Sequence, residues 1–324
     1  MSWEFLYLSR KDIESLDISM KEIIDAVERG LVEKGYGRAE MPPKPGIHPR
    51  KDSFIHAMPA YLKGLDIGGL KWVAGFPSNK SKGLPYITGV FVLNDMDTGL
   101  PLSIMDASWI TAKRTGAMTA VSAKYLARKD SSIVGILGCG VQGRSNLEAL
   151  NELFDIELVK AYDVYDEAAR RYEEEMEGKL GLNVEIVGSP KEAVEGSDIV
   201  VTAGPILKNP NPVIEKDWFK DGGFAAPLDF DSYWKPEAMH SMDKFVTDDK
   251  DQLMYYKSIG YFKDIPEVYA NVDEIVIGKK KGRERDDERI MAMNLGLATH
   301  DVVTADLIYR KAKEKGVGTW LRLI

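Results

Sequence analysis

Three glycines, two isolated cations and a pair of carboxylates are the residues whose types and spacing could do chemistry. The glycines lie in Val134-Gly135-Ile136-Leu137-Gly138-Cys139-Gly140-Val141-Gln142-Gly143, where Gly138, Gly140 and Gly143 form a GxGxxG pattern. The pattern follows an apolar strand-like run and opens a helix-like one. An acid, Asp163, stands about 20 residues further on, which is the context a dinucleotide fingerprint requires. Gly138 permits a tight turn. Gly140 lets the backbone approach a pyrophosphate, and Gly143 lets helix pack on strand. The N–H groups at the helix start, with the helix dipole, bind the anion. Asp163 is placed to accept from the ribose hydroxyls. A carboxylate there repels a 2′-phosphate, and its neighbours Val164 and Tyr165 bring no cation, so NAD is favoured over NADP. Cys139 reads as a small filler of the loop, since no histidine is paired with it.

Lys71 sits in Gly68-Gly69-Leu70-Lys71-Trp72-Val73, a strand-like run that is otherwise apolar. A lysine there is costly unless it is paired or faces a cavity. Arg114 lies in Thr111-Ala112-Lys113-Arg114-Thr115-Gly116-Ala117, among small residues that allow close approach. Singly, these read as a snorkelling lysine and a surface arginine. Together, in a chain that binds a dinucleotide, they suggest a carboxylate clamp. The carboxylates Asp229 and Asp231 lie in Pro227-Leu228-Asp229-Phe230-Asp231-Ser232-Tyr233-Trp234-Lys235, where a strand of the nucleotide sheet should end. Carboxylates at such strand ends point towards bound ligand, so both are acid/base candidates. The alternative is a pair of loop carboxylates, or a cap on the following helix.

The elements that must position these residues follow from periodicity. Residues 3–8 read as a strand. Ser19 to Gly35 reads as a helix, with Ser19 as cap, Glu22 three residues on, and Ile23, Ile24, Val27 and Leu31 on one face. The proline-rich stretch Met41 to Pro49 must be extended or turning. Strand-like runs cover Phe54–Tyr61, Ile67–Phe76, Ile87–Asn94 and Leu100–Met105. Asp97-Thr98-Gly99 marks a hairpin between the last two, so this region is antiparallel with little helix. Thr111 to Arg128 reads as a long helix. From Ser131 strands and helices alternate: 133–137, 142–153, 158–163, 166–180, 184–187, 190–195 and 199–202. That order is the mark of βαβ units around a parallel sheet. Phe245–Thr247 and Glu274–Ile277 are further candidate strands. Lys279–Arg289 reads as a solvated loop, and Asp301 to Lys315 as a helix with Thr304 as an early capping hydroxyl.

Composition narrows the function classes. The chain has 324 residues, 44% hydrophobic and 29% charged, which supports a sizeable core and excludes wholesale disorder. Its 43 Lys and Arg against 51 Asp and Glu give a net charge of −8, which argues against nucleic acid as a partner. One cysteine allows no internal disulfide, and Cys and His are too few for a Cys-rich zinc module, so no metal site is expected. The N-terminus lacks a signal-peptide pattern, and no apolar run approaches the roughly 18 residues of a membrane span. The expectation is a soluble cytoplasmic protein without a membrane partner.

Taken together, these segments resemble the ornithine cyclodeaminase/mu-crystallin family over nearly the whole chain. The most specific pieces are Ile55-His56-Ala57-Met58-Pro59, Gly69-Leu70-Lys71-Trp72-Val73, Thr111 to Ala117 and Gly138 to Gly143, joined by Leu93-Asn94-Asp95-Met96-Asp97-Thr98-Gly99-Leu100-Pro101. The resemblance implies an α/β fold. A Rossmann-type doubly wound parallel sheet over 119–302 is joined to an α+β substrate-binding and dimerisation domain, with an antiparallel sheet, over 1–118 and 303–324. It implies a homodimer and hydride transfer between NAD and the α-carbon of a small amino or imino acid, as in an amino-acid dehydrogenase or a ketimine reductase. The alternatives are an ornithine cyclodeaminase, which uses NAD without net consumption, and a non-enzymatic crystallin-like binding protein.

Carried over residue by residue, Lys71 contacts the substrate carboxylate near the reacting carbon, and Arg114 holds carboxylate and cofactor phosphate. Val141 and Gln142 touch the pyrophosphate and Asp163 the ribose. Thr202 and Lys235 fall at cofactor positions, and Asn294 and Leu295 lie beside nicotinamide and substrate. Asp231 matches the general acid/base, with Asp229 as a competing alignment. Three departures bear on the substrate. Lys44 stands where an arginine would complete the clamp, keeping the charge but losing the bidentate fork. His56 replaces a glutamate suited to a cationic side chain, and Tyr86 replaces a threonine that touches the cofactor. Ornithine as substrate is therefore disfavoured.

Overall fold

The computed structural model describes residues 2–324, with the Lys80 side chain left out. The chain opens with β1 (Glu4–Leu8), α1 (Arg10–Glu14) and α2 (Met20–Gly35). Ser19 caps α2 as its spacing predicts: its hydroxyl accepts the Glu22 amide and the Glu22 carboxylate accepts the Ser19 amide. Five strands follow as the antiparallel pattern requires, after a two-residue β2 (Ala39–Glu40): β3 (Gly46–Ile47), β4 (Phe54–Leu62), β5 (Ile67–Gly75), β6 (Ile87–Asn94) and β7 (Pro101–Asp106). Next comes α3 (Ala107–Leu126), which starts earlier than the expected Thr111 because the Asp106 carboxylate accepts the Trp109 amide at 2.8 Å.

The alternating region runs β8 (Ile133–Leu137), α4 (Val141–Asn151), β9 (Leu158–Tyr162), α5 (Asp166–Leu180), β10 (Val184–Ile186), α6 (Pro190–Val194), β11 (Ile199–Thr202) and β12 (Phe224–Pro227). It continues through α7 (Pro236–His240), β13 (Lys244–Thr247), α8 (Lys250–Ser258), β14 (Ala270–Asn271), α9 (Val272–Val276) and β15 (Ile290–Met293). The chain closes with α10 (Ala298–Lys315) and β16 (Thr319–Arg322).

Three expectations are corrected. The segment read as a strand at Glu274–Ile277 is largely helix α9, started by the Glu274 carboxylate accepting the Asn271 amide at 3.1 Å. A short apolar run cannot by itself separate the two states. Thr304 caps nothing, because α10 begins at Ala298; its hydroxyl donates back to the His300 carbonyl one turn earlier. The charge run at Lys279–Arg289 is a loop but not a merely solvated one. Glu288 is buried against Lys244, and the Arg283 guanidinium donates to the carbonyls of Leu126, Gly223 and Glu288.

The chain divides into one unit of Met1–Arg114 with Leu297–Ile324 and another of Thr115–Gly296. These borders precede the expected 118/119 and 302/303. Arg114 belongs with the first unit because it bonds Asp301, and all of α10 does so because it packs on α2, β4 and β5.

In the first unit the sheet order is β16-β1-β7-β6-β5-β4-β2, with β3 on β4; every pairing is antiparallel except β1 with β7. Helices α2 and α10 pack on each other, and α10 covers β4 and β5. Alternation along β5 turns Lys71 and Val73 inward and leaves Trp72 outward. In the second unit all eight strands are parallel, in the order β10-β9-β8-β11-β12-β15-β13-β14. The order reverses between β8 and β11, the switch point at which such sheets bind ligands. No helix of the described residues is long and apolar enough to cross a membrane.

Candidate active site

In the first unit two of the candidate side chains, Lys71 and Arg114, converge on one carboxylate. Lys71, 1% exposed on β5, donates its ammonium to Asp301 Oδ1 at 2.8 Å and to Thr111 Oγ1 at 3.3 Å. Arg114 donates Nε to the same Asp301 oxygen at 3.0 Å. Asp301 is fully buried in the first turn of α10, and its Oδ2 has no hydrogen-bond partner among the described residues. Two cations thus face one anion. Burial and the neighbouring Arg114 push Lys71 down to about 7. Burial alone would raise Asp301, but Lys71 and Arg114 outweigh it and hold the carboxyl below its usual range.

Lys44 lies close enough for its charge to depress both Lys71 and His56. His56, on β4, stacks on Phe54 with ring centroids 4.4 Å apart. Burial first, then the neighbouring basic groups led by Lys44, push its pKa down to about 3, so the ring is neutral. Tyr86 precedes β6 on the surface, its carbonyl accepting the Phe76 amide at 2.9 Å.

Sequence reasoning missed Asp301 and its neighbour His300. His300 is buried, its two ring nitrogens without partners among the described residues, and burial and Arg114 hold it near 3. One signal was available. A lysine in an apolar strand needs a counter-ion, and Asp301 is an acid in a helix start that is otherwise apolar or neutral, Leu295-Gly296-Leu297-Ala298-Thr299-His300.

In the second unit the glycine loop joins β8 to α4. Gly138 has φ +105°, and a Cβ there would meet the Ala203 carbonyl oxygen at 2.6 Å, so the turns after β8 and β11 touch at the switch point. A Cβ on Gly143 would strike the Gly138 oxygen at 2.3 Å, which explains the close entry of α4. Beside Gly140 the space is open, and α4 starts there with no side-chain cap. Val141 is exposed and Gln142 half-buried at that end. The Asp163 carboxylate holds the loop from the end of β9, accepting the amides of Cys139 at 2.8 Å and Tyr165 at 3.0 Å. Open space at Gly140, an uncapped helix start and this carboxylate fit a dinucleotide. Cys139 is buried, and burial and Asp163 push its thiol up to about 12, which keeps it inert.

The two candidate carboxylates separate cleanly. Asp229 is fully buried with both oxygens engaged: Oδ1 accepts Thr202 Oγ1 and Oδ2 accepts the Gly204 amide, each at 2.8 Å. Burial pushes it up to about 7. Asp231 is 9% exposed, its Oδ1 is unpartnered among the described residues, and burial raises it too. Thr202, expected at the cofactor, therefore spends its hydroxyl on Asp229. Lys235, also expected there, is tied to Glu215 at 2.7 Å on the surface. Asn294 follows β15 and donates to Ser122 Oγ at 3.0 Å, while the Leu295 amide donates to buried Asp248, also at 3.0 Å. Among the described residues no cluster of His, Cys, Asp and Glu is placed to hold a metal ion.

A profile of the ornithine cyclodeaminase/mu-crystallin family matches residues 4–316. An alanine dehydrogenase of Archaeoglobus fulgidus is 38% identical over 327 residues, covering 98% of each chain. The structure of Thermococcus litoralis Δ1-pyrroline-2-carboxylate reductase with NADH and L-proline superposes with a TM-score of 0.90 at 39% identity, over 97% of this chain and 99% of that one. An archaeal alanine dehydrogenase dimer with bound NAD superposes with a TM-score of 0.88 at 36% identity, over 99% and 100%.

The shared anion yields a stability test. Asp301→Asn leaves two buried cations without a counter-charge and is expected to cost about 3 kcal/mol in urea unfolding. Lys71 titrates below an ordinary lysine, so the folded state binds fewer protons than the unfolded one between the two values, and the penalty of its charge eases as pH rises. The destabilisation by Asp301→Asn should therefore be larger at acidic pH than at alkaline pH. An equal loss across that range would contradict the assignment.

Proposed function

This chain belongs to the ornithine cyclodeaminase/mu-crystallin family, and from that membership and its two sets of site residues we propose an NAD-dependent oxidoreductase acting at the α-carbon of a small amino or imino acid. The observation that carries the reading is the buried Lys71–Asp301–Arg114 cluster. Its net charge is positive in a place that excludes water, and Lys44 adds to it. An incoming carboxylate restores the balance, so the cluster selects a substrate acid group. Asp301 keeps the two cations together and fixes their direction.

In the second unit Gly138, Gly140, Val141, Gln142 and Gly143 hold the pyrophosphate at the start of α4, and Asp163 the ribose. NAD, when bound, supplies the hydride acceptor or donor for the α-carbon. Asp231 exchanges the proton on the substrate nitrogen: its raised proton affinity suits that role and its Oδ1 has no partner among the described residues. Asp229 is structural, tying the turn after β12 to the end of β11. Lys71, held near neutrality, releases or takes a proton easily as the substrate changes charge.

The neutral His56 disfavours a cyclodeaminase acting on a diamino acid, because it offers no negative charge to a second ammonium group. The test is NADH absorbance with L-alanine and L-proline plus NAD⁺, and with pyruvate, ammonia or cyclic imines plus NADH. Ammonia release without NADH accumulation would identify the cyclodeaminase instead.

The assignment of roles predicts distinct variants. Asp231→Asn should lower kcat by about 10²–10⁴ with NAD affinity nearly unchanged. Asp229→Asn should mainly lower thermal stability, because it breaks the bonds to Thr202 and Gly204. Lys71→Ala should abolish measurable turnover. A crippled Asp229→Asn beside a wild-type Asp231→Asn would reverse the assignment.

Cofactor choice rests on Asp163, whose carboxylate repels a 2′-phosphate. We expect NAD(H) to bind tighter than NADP(H), and the pair Asp163→Ser with Val164→Arg to narrow or reverse the preference in a binding titration. Equal affinity of the native protein for both would refute it.

A homodimer is supported by the outer face of the first unit's sheet, where Trp72 pairs with Val90 and Tyr7 with Ile104; Tyr7, Trp72 and Val90 remain exposed. Light scattering at micromolar concentration should give twice the chain mass, and Trp72→Asp with Val90→Asp should give a monomer. A native monomer is the contrary result.

A further inference from the structure

Two phenylalanines in the second unit adopt a backbone that bulky side chains rarely tolerate. Phe230 has φ +62° and Phe262 has φ +50°. Among the described residues the other non-glycine positions with positive φ are Asp17, Asp52 and Asp66, a residue type that accepts the left-handed region. Strain of this kind persists where the surroundings over-determine it, and it gathers at sites that need a defined geometry. Here the two strained residues meet. Their rings lie 4.7 Å apart, both are buried, and Tyr256 and Tyr261 close on Phe230 edge-on at 5.3 Å and 5.7 Å.

Asp231 adjoins both residues. Phe230 precedes it in sequence, and the Phe262 backbone lies close enough to its carboxylate to favour the ionised form. The left-handed residue also separates two roles. In an extended chain Asp229 and Asp231 would share one face. With Phe230 turned, Asp229 is committed to Thr202 and Gly204, while Asp231 Oδ1 stays without a partner among the described residues.

We propose that Phe230 and Phe262 are a pair of positioning residues that lock the turn carrying Asp231, shield its carboxylate from water and leave Oδ1 for the substrate nitrogen. The proposal rests on the reading of Asp231 as the acid/base. The charged groups that act on this carboxylate are Asp229 on the same turn and Lys263 after Phe262, and the titratable Tyr256 and Tyr261 pack against the Phe230 ring. Lys263 favours the ionised form and burial opposes it, and the Phe230 and Phe262 rings belong to the buried packing beside this turn.

The test needs no substrate for its first readout. The ¹³C carboxyl resonance of Asp231 is identified as the one lost in Asp231→Asn. Its titration midpoint in the native protein should lie above an ordinary aspartate, and in Phe262→Ala should fall by about half a pH unit or more as water reaches the group. Phe262→Leu should restore it. Phe230→Gly accepts φ +62° without strain while removing the ring, and should give the same fall if Phe262→Ala does not fold. With L-alanine or L-proline and NAD⁺, kcat should drop about 10-fold or more while KM stays within about twofold, as expected for misplacement. Folded Phe262→Ala and Phe230→Gly proteins with an unmoved titration overturn the proposal. A crippled Asp231→Asn beside native kcat in both phenylalanine variants overturns the positioning role alone. Native kcat in Asp231→Asn overturns the acid/base reading and the positioning role with it.

Discussion

The first unit is organised around one buried carboxylate. Lys71 and Asp301 are 230 positions apart in the chain and 2.8 Å apart in space. An ammonium on the inner face of an apolar sheet is tolerable only with a partner, and that partner arrives on the last helix. Helix α10 returns to the first unit by packing on α2, β4 and β5, and it brings that partner with it. Asp301 also receives Arg114, so a single oxygen anchors both cations. Replacing such a cluster with apolar side chains is often neutral or stabilising. Its unbalanced positive charge is the basis of the proposed role in holding a substrate carboxylate.

The second unit solves a different problem. A parallel sheet with reversed strand order leaves the turns after β8 and β11 side by side, and glycine at 138 lets them touch. Two residues on, α4 starts without a side-chain cap and the space beside Gly140 is clear. Asp163 serves the loop before it serves any ligand, because it holds the Cys139 and Tyr165 amides. The residues that would bind a dinucleotide are thus held in shape by the fold itself. The same economy appears after β12, where one carboxylate, Asp229, secures the turn and the next, Asp231, is left available.

Much of this was legible from pattern. Strands β4 to β7 and the alternating run from β8 to β11 follow from period-two and helical periodicity together with turn residues. The cap of α2 follows from Ser19 and Glu22. The glycine loop with Asp163 is local in sequence, so its context could be checked without a fold. Less legible were α8, β15 and β16, short segments whose periodicity is weak and whose state is decided by neighbours. The strand expected near Glu274 became a helix for the same reason, a single carboxylate contact at Asn271 tipping a short ambiguous run.

The sequence by itself determined the strands from β4 to β7, the alternating run from β8 to β11, the dinucleotide fingerprint and the anomaly of a lysine in an apolar strand, because each is a local pattern of residue type and spacing. Tertiary structure alone decided that Asp301 neutralises that lysine, that Thr202 bonds Asp229 and that Lys235 is spent on Glu215. It also decided which of two aspartates keeps a buried oxygen unpartnered. Those outcomes depend on which side chains the packed chain brings within about 3 Å of one another, and no local pattern carries that distance.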